Sequence, residues 1–426
     1  MKRRNFILGG AGLAAGAVLL LRPADAGGAY TPYFSALNET LKQSGPGRPV
    51  MLIDQDRLLA NAAKIRGHLA EGKEFRIVAK SLPSLPLLQL LMNTMQTQSL
   101  MVFHQPHINA IATALPASNM LLGKPMPVNA AATFYRLFSQ DISKSAFNPA
   151  AQLQWLVDSK ERLLEYQQLA KSLGTTLLVN LELDVGLHRG GLQSTAELAA
   201  LLDIMSPSDS SLKFSGFMGY DAHVGKIPSI LESRESSFNK ACAIYRNFQS
   251  ALFEKLPELK GAPLTFNGGG SPTLRLHDQS SPINEVAAGS CFVKPTDFDL
   301  ELLADLEPAA FIATPVLKTL EGSTIPGIEG MRNLFSAWDR NQQRSYFIYG
   351  GLWQAHYESP PGLSDNTLYG RSSNQAIVNS SHRVPLKVND QIFLRPTQSE
   401  RVLLEFGELT VVSKGKITNW WPVLPT

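Results

Sequence analysis

The stretch TLLVNLELDVGLHRGGLQSTAELAALLDIM at 176–205 contains the unit on which most of this chain is built. An apolar, strand-like run over 177–183 ends in a glycine-rich turn, and apolar residues with helical spacing follow over 195–205. Runs of the same kind occur at 75–79, 100–103, 120–123, 152–157, 214–219, 264–267 and 285–288. Eight strands alternating with helices in about 220 residues predict an α/β fold, a (β/α)₈ TIM-like barrel. The alternative is an open doubly wound sheet, which is disfavoured because the first glycine-rich turn lacks the form G-x-G-x-x-G.

The sequence changes character after residue 309. Segments such as SYFIYGG and QIFLRP are short, strand-like and separated by Gly, Pro and Asn turns. They predict a C-terminal all-β domain over 310–426, preceded by the barrel over 75–309. The segment 27–74 is expected to contribute to the β domain, through its strand-like run PVMLID, and to the start of the barrel.

The first 26 residues have the features of an export signal. Arg3 and Arg4 are followed by Phe6, an apolar stretch too short to span a bilayer, and the small-x-small sequence Ala24-Asp25-Ala26. The arginine pair indicates the twin-arginine route and therefore a periplasmic protein with no membrane span after processing. An uncleaved membrane tether is the alternative.

Charge and cysteine content narrow the function further. The formal net charge of +3 gives no basic surface for nucleic acid. Cys242 and Cys291 have no metal-ligand spacing, and two buried free thiols are expected rather than a single bridge. We therefore expect a small-molecule partner.

Several chemically distinctive residues follow strand-like runs at the position where catalytic groups lie in such barrels. Lys80 ends FRIVAK, and the other blocks are DVGLHRGG, GYDAH, NGGGS and AAGS. The candidate site residues are Lys80, Arg189, Tyr220, His223, Gly268, Gly269, Gly270, Gly289 and Ser290.

Together these residue types suit pyridoxal phosphate. A lysine amine can condense with its aldehyde, although a solvated lysine at a strand end is the alternative. The Arg189 guanidinium suits the phenolate oxygen, with an ion pair to Asp184 or Glu182 as the alternative. Glycine turns expose backbone N–H groups that can bind phosphate, although such runs also make plain turns.

The order of these blocks resembles the fold-type III pyridoxal phosphate enzymes, and among them the D-threonine aldolase and D-serine dehydratase group, relatives of alanine racemase. The resemblance covers roughly residues 48–425. It implies that Lys80 is the Schiff-base lysine, with the motif's Arg76 retained. It implies that Arg189 contacts the cofactor ring oxygen and that Tyr220 and His223 lie beside the cofactor. It is also compatible with a homodimer.

The chain departs from this group around the cofactor. Val78 stands where the group has histidine, and Ser81 begins a continuation that differs from the group's T-H-K. Ala287 replaces a glutamine near the ring nitrogen, and Cys291 replaces a tyrosine.

The largest departure concerns the metal. The group binds a divalent ion through a late H-x-D or H-x-C pair, and here LRPTQSERVLLEF places Gln398 and Glu400 in those positions, with Gln375 in an earlier block. Glutamine is a poor zinc ligand. We therefore expect no high-affinity metal site.

The resemblance implies a pyridoxal phosphate-dependent lyase that acts at Cα or Cβ of a D-amino acid, of aldolase or dehydratase type and without the metal. Lys80, Tyr220 and His223 are the expected catalytic residues. The alternatives are an amino-acid racemase and a non-catalytic protein that binds the cofactor or an amino acid.

Overall fold

The computed structural model describes residues 22–141, 146–205, 209–324, 326–327 and 329–425. The chain divides into two compact units. The sheet unit comprises residues up to Leu52, Phe311–Thr397 and Val412–Thr418, and the barrel unit comprises Ile53–Ala310, Gln398–Val411 and the residues from Asn419 onward. The described chain begins with helix α1 (Pro32–Ser44) and strand β1 (Val50–Asp54). Most of the export signal predicted over 1–26 lies outside the described residues.

Eight parallel strands close into a barrel, which confirms the predicted (β/α)₈ fold. The strands are β2 (Glu74–Val78), β3 (Ser99–Val102), β4 (Asn119–Leu122), β5 (Leu153–Val157), β6 (Leu177–Glu182), β7 (Leu212–Gly219), β8 (Thr265–Gly268) and β9 (Glu285–Ala288). The barrel closes where β2 pairs with β9, with Phe75 opposite Val286 and Ile77 opposite Ala288. Lys80 and Gly289, which follow these two strands, are thereby brought side by side.

Most of the barrel strands are followed by helices, and some of these begin or end at caps that the sequence supplies. The helices are α2 (Gln55–His68), α3 (Leu85–Met95), α4 (Gln105–Ala114), α5 (Val128–Asp141), α6 (Pro149–Gln152), α7 (Lys160–Leu173), α8 (Thr195–Ile204) and α9 (Arg234–Lys255). Ser194 and Glu197 form a capping box at the start of α8. Gly174 ends α7 in the left-handed conformation that glycine adopts without strain. No helix among the described residues is long and apolar enough to cross a bilayer.

A buried ion pair lies in the barrel wall. The guanidinium of Arg76, only 1% exposed, donates to both carboxylate oxygens of Glu285 at 2.6 and 2.9 Å. It also donates to the carbonyls of Leu100 and Asn119, so one side chain joins β2 to β9, β3 and β4. These four acceptor oxygens, two of which belong to Glu285, satisfy a charge that would otherwise be costly to bury. They also fix the four strands relative to one another.

The sheet unit contains the antiparallel sheet predicted for the C-terminal part of the chain. Its strands are β10 (Ala310–Leu320), β11 (Arg344–Tyr349), β12 (Ala355–Ser359), β13 (Ser364–Asp365), β14 (Gln375–Ser380), β15 (Gln391–Pro396), β16 (Glu408–Ser413) and β17 (Lys416–Pro422). The order is β13-β14-β11-β10-β1-β16-β17, and β15 pairs with β10 and β12. Phe34 and Leu37 of α1 pack against Phe311 and Phe393 in its core. The short helix α10 (Arg332–Trp338) was not expected from the strand-like pattern of this region.

Candidate active site

The C-terminal ends of the barrel strands surround a cavity of about 570 Å³, a volume that includes its open mouth. Seven of the predicted site residues line it, namely Lys80, Arg189, Tyr220, Gly269, Gly270, Gly289 and Ser290. Sequence reasoning did not assign a role in the site to several other lining residues, among them Ser81, Phe103, Asn267 and Glu400. Side chains from distant parts of the chain therefore meet at this end of the barrel.

Two predicted site residues lie outside the cavity lining. Gly268 is the last residue of β8, one position before the lining residue Gly269. His223 lies in the turn after β7, where its Nδ1 atom is buried without a hydrogen-bond partner in the described part of the chain. Burial lowers the pKa of His223, so its ring is mainly neutral at pH 7 and supports the neighbouring turn at Gly186, whose Cβ position is 3.1 Å from Nε2.

Lys80 has the surroundings of a nucleophilic amine. It lies in a single 3-10 turn directly after β2, with Nζ 4.5 Å from the centre of the Phe103 ring. Burial lowers the pKa of Lys80; Glu400 opposes this, and the positive charges of Arg189 and Lys124 lower the pKa further. Because a larger fraction of the amine is neutral, Lys80 is a better nucleophile than a solvated lysine.

Arg189 stacks on Tyr220. The guanidinium carbon lies 4.9 Å from the centre of the Tyr220 ring, a cation–π contact. The expected alternative partner Asp184 instead accepts hydrogen bonds from the backbone of Gly186 and His188 and from Nδ1 of His188. Burial raises the pKa of Glu182, the other expected partner, to about 7, and the charge of Arg189 opposes this shift. Arg189 is therefore held by an aromatic face and has Glu182 as an electrostatic neighbour.

The two glycine turns leave no room for side chains. A Cβ on Gly270 would lie 2.7 Å from Cε2 of Tyr220, and one on Gly289 would lie 2.7 Å from the carbonyl oxygen of Val78. Oγ of Ser271 accepts hydrogen bonds from the N–H groups of Gly289 and Cys291 at 3.4 and 3.0 Å. One side chain thus joins the two turns into a single backbone-lined cradle of a kind that suits phosphate, and the N–H groups of Gly289 and Cys291 are used in joining them.

A buried polar cluster positions the first of these turns. Asp221, next to Tyr220, accepts hydrogen bonds from Oγ1 of Thr273 at 2.7 Å and from Nε2 of His277 at 2.8 Å. Burial would raise the pKa of Asp221, but His277 and Thr273 hold it below its usual value. Sequence reasoning missed His277, because nothing in the local pattern indicates a partner 56 residues away.

Two positions at which the sequence departs from the family pattern contact one another. Oγ of Ser81 donates to Oε1 of Glu400 at 3.0 Å, and the same carboxylate oxygen lies 3.9 Å from Nζ of Lys80. Nε2 of Gln398 donates to Oδ2 of Asp297 at 2.9 Å. Gln375 is the first residue of β14 in the sheet unit. Within the described ranges, no group of three or more His, Cys, Asp or Glu residues could hold a metal ion.

Cys242 and Cys291 are buried free thiols, as predicted. Burial raises the pKa of both, to about 11 for Cys242 and about 12 for Cys291. Both sulfurs are therefore protonated at neutral pH and contribute to packing.

Residues 53–296 match the sequence family described as alanine racemase, N-terminal domain. The chain belongs to this family. Its members use pyridoxal phosphate. The family resemblance and the cofactor predicted from the sequence are therefore both confirmed. No curated protein sequence matches the chain significantly.

Solved structures with the same fold come from three kinds of enzyme. D-threonine aldolase from Filomicrobium marinum is 15% identical to this chain in sequence and has a TM-score of 0.67. The superposition covers 88% of this chain and 94% of the aldolase. D-threo-3-hydroxyaspartate dehydratase from Delftia sp. HT23 is 15% identical, with a TM-score of 0.64 and coverages of 91% and 100%. Alanine racemase from Bacillus anthracis is 15% identical, with a TM-score of 0.62 and coverages of 88% and 97%. At this identity the likeness establishes a shared fold.

The residues of the cavity fit the cofactor. Lys80 supplies an amine of lowered pKa for the aldehyde, and the joined turns at Gly270 and Gly289 supply a cradle that a Cβ would fill. Arg189 supplies a permanent positive charge for the ring oxygen. Ala287 lines the same cavity and offers no polar group to the ring nitrogen.

Proposed function

We propose that this chain is a pyridoxal phosphate-dependent lyase that acts on a D-amino acid carrying a β-hydroxyl group, by retro-aldol cleavage or by elimination of water. The observation that carries the proposal is the pairing of Lys80 with Glu400 inside the cofactor cavity. An amine of lowered pKa and a carboxylate 3.9 Å apart provide two proton-transfer groups at one place.

Each cavity residue has a role in this proposal. When bound, pyridoxal phosphate stabilises the electron pair left on Cα of the substrate. Lys80 would hold the aldehyde of the cofactor and, as a free amine, would serve as the base or acid at Cα. Arg189 holds the ring oxygen, and burial raises the pKa of Tyr220, so the phenol remains protonated and donates a hydrogen bond.

The substrate class is supported by the solved structures of the same fold. They include a D-threonine aldolase and a D-threo-3-hydroxyaspartate dehydratase, and both names refer to D-amino acids with a β-hydroxyl group. The cavity is lined by the carboxylate of Glu400, which can exchange a proton with that hydroxyl group. The chemistry proposed here needs no metal, because Glu400 lines the cavity and can take the proton of that hydroxyl group.

Amino-acid racemisation is a second candidate, because Lys80 and Tyr220 both line the cavity and each can hold a proton. A racemase would invert D-alanine, which has no β-hydroxyl group to cleave. The two functions therefore differ in their products.

The test is to load the purified protein with cofactor and supply D-threonine, D-serine and D-alanine separately. We expect glycine and an aldehyde from D-threonine, or an oxo acid and ammonia from D-serine. Appearance of L-alanine from D-alanine alone would identify a racemase. An absorption spectrum that no amino acid changes, with no product, would identify a non-catalytic binding protein.

We also propose that the protein works in the periplasm. The support is the sequence pattern around Arg3 and Arg4, and a route that exports folded proteins would allow the cofactor to be loaded first.

A further inference from the structure

A chain of hydroxyl groups leads from the second glycine turn to the carboxylate beside Lys80. Ser290, which follows Gly289, donates through Oγ to Oγ of Ser81 at 3.0 Å, and Ser81 donates to Oε1 of Glu400. Oγ of Ser399 lies 3.3 Å from Oγ of Ser290. These three serines are buried. The Glu400 carboxylate thus accepts a hydrogen bond from a hydroxyl group that the barrel holds in place.

The contact between Ser81 and Glu400 gives the carboxylate a fixed position. Ser81 stands where the resembled group has threonine, so a hydroxyl donor is kept at this place. Here Ser81 holds the carboxylate in the cavity wall, where the Glu400 side chain is 29% exposed and that of Lys80 is 38% exposed. The two groups are thus open to a ligand in the cavity and close to each other.

We propose that Glu400 is the catalytic residue that exchanges a proton with the β-hydroxyl group of the substrate, and that it passes this proton to and from Lys80. The inference rests on the proposed function, and it assigns the proton transfer at the β-oxygen to one carboxylate. The distance of 3.9 Å between Oε1 and Nζ is spanned by one bridging water or a small side-chain rotation.

The proton balance closes without another reactant. In retro-aldol cleavage the hydroxyl proton goes to Glu400, the O–H electron pair forms the carbonyl bond of the aldehyde, and the Cα–Cβ bond breaks with its electron pair on Cα. Glu400 then gives the proton to the neutral amine of Lys80, and Lys80 delivers it to Cα. In elimination the same proton runs the other way, from Cα through Lys80 and Glu400 to the departing hydroxyl group, which leaves as water.

The charges around Lys80 suit this exchange. Burial, Arg189 and Lys124 favour the neutral amine, whereas Glu400 favours the protonated one. When Glu400 takes a proton it loses its charge, and when it returns the proton its charge stabilises the new ammonium. The attraction between the two charges therefore favours transfer from Glu400 to Lys80, which is the direction that retro-aldol cleavage requires.

The test uses the full-length holoenzyme with Glu400→Gln, which keeps an acceptor oxygen for Ser81 but cannot carry the proton. We expect cleavage or dehydration of D-threonine and D-serine to fall by about 10²- to 10⁴-fold, the usual contribution of a general acid or base. Exchange of the α-proton of D-alanine in D₂O, followed by NMR, should fall far less than cleavage or dehydration does, because it needs Lys80 and no β-hydroxyl group.

The matched control is Glu405→Gln. Glu405 lies on the same segment, pairs with Arg401 at 3.2 Å and has the same exposed side-chain fraction of 29%, but it does not line the cavity. It should retain full activity with every substrate. Ser81→Ala should lower kcat for the hydroxylated substrates less than Glu400→Gln does, with little change in KM, because Ser81 acts by positioning.

A second readout needs neither cofactor nor turnover. In the cofactor-free full-length chain, the pH dependence of Lys80 labelling by an amine-reactive reagent, measured by peptide mass spectrometry, reports its pKa. We expect Glu400→Gln to lower the pKa of Lys80, because the Glu400 charge raises it. An unchanged labelling profile would overturn the coupling of the two groups.

The outcomes separate this inference from the proposed function. If wild-type protein cleaves the hydroxylated substrates and Glu400→Gln cleaves them equally well, the inference is overturned and the function stands. If Glu400→Gln loses cleavage and D-alanine exchange to the same degree, Glu400 is structural and the inference is again overturned. If the wild-type holoenzyme neither cleaves nor exchanges any D-amino acid, the proposed function fails, and the inference fails with it.

Discussion

Nε2 of Gln398 donates a hydrogen bond of 2.9 Å to Oδ2 of Asp297. The amide nitrogen is used in this bond, and the remaining amide oxygen is a poor ligand for zinc. We expect the lyase activity to survive a strong chelator, and elemental analysis of the purified protein to find no stoichiometric zinc or manganese. Activity lost on chelation and restored by adding the ion back would show that the segment around Gln398 is aligned wrongly with the metal motif.

Replacing Lys80 should abolish covalent attachment of the cofactor. After borohydride reduction, mass spectrometry should find the cofactor on the peptide that contains Lys80 in wild-type protein and on no peptide in Lys80→Ala. Lys124→Ala is the control, since Lys124 is an exposed lysine whose charge also acts on Lys80. Reducible cofactor on Lys80→Ala protein would refute the assignment.

Arg189→Lys should weaken cofactor binding although the charge is kept. Lysine loses the planar donors and the stacking on Tyr220 at 4.9 Å, which for an exposed cation–π contact corresponds to about 0.5 to 1 kcal/mol. Titration of the cofactor-free protein, followed by visible absorption, measures the change. An identical affinity and spectrum would mean that Arg189 only supports the turn.

Gly289→Ala should disturb the cradle. Its Cβ would lie 2.7 Å from the carbonyl oxygen of Val78 and 3.0 Å from Cβ of Ser81, so backbone must move, at a cost of about 1 to 3 kcal/mol of unfolding free energy. Chemical unfolding and cofactor affinity should both report the loss. Gly67→Ala is the control, because nothing lies within 4 Å of its Cβ position. Gly67→Ala should be at least as stable as wild type. Equal stability of Gly67→Ala and Gly289→Ala would contradict the expected crowding around Gly289.

Export should depend on the arginine pair. We expect Arg3→Lys combined with Arg4→Lys to leave the precursor in the cytoplasm, since the twin-arginine route requires both guanidinium groups. Fractionation followed by immunoblotting measures the distribution. Normal periplasmic accumulation of the double variant would argue for another route.

The barrel was predictable because every strand is an apolar run bounded by turns, and residues after such strands meet at one end. Lys80 and Arg189 could be placed in the site for this reason. Contacts such as Asp221 with His277 could not be predicted, because they depend on how loops fold back rather than on any periodicity. The helix α1 was missed although Phe34, Leu37 and Leu41 have helical spacing, and these residues are buried in the core of the sheet unit.

The contact between Ser81 and Glu400 was equally hidden in the sequence. Both residues stand out only as departures from a pattern, and they are 319 positions apart. Nothing in either local segment states that one is the donor for the other. In the structure these two residues are joined by one hydrogen bond.

The ion pair between Arg76 and Glu285 has a consequence for how the chain is made. Its two halves leave the ribosome 209 residues apart, which at ordinary rates of synthesis is an interval of about 10 to 40 s. Throughout that interval the guanidinium has no carboxylate to pair with, and burying it alone would be strongly unfavourable. The first barrel strand therefore stays hydrated until the last one arrives, and closure of the ring is an event that follows translation of nearly the whole barrel.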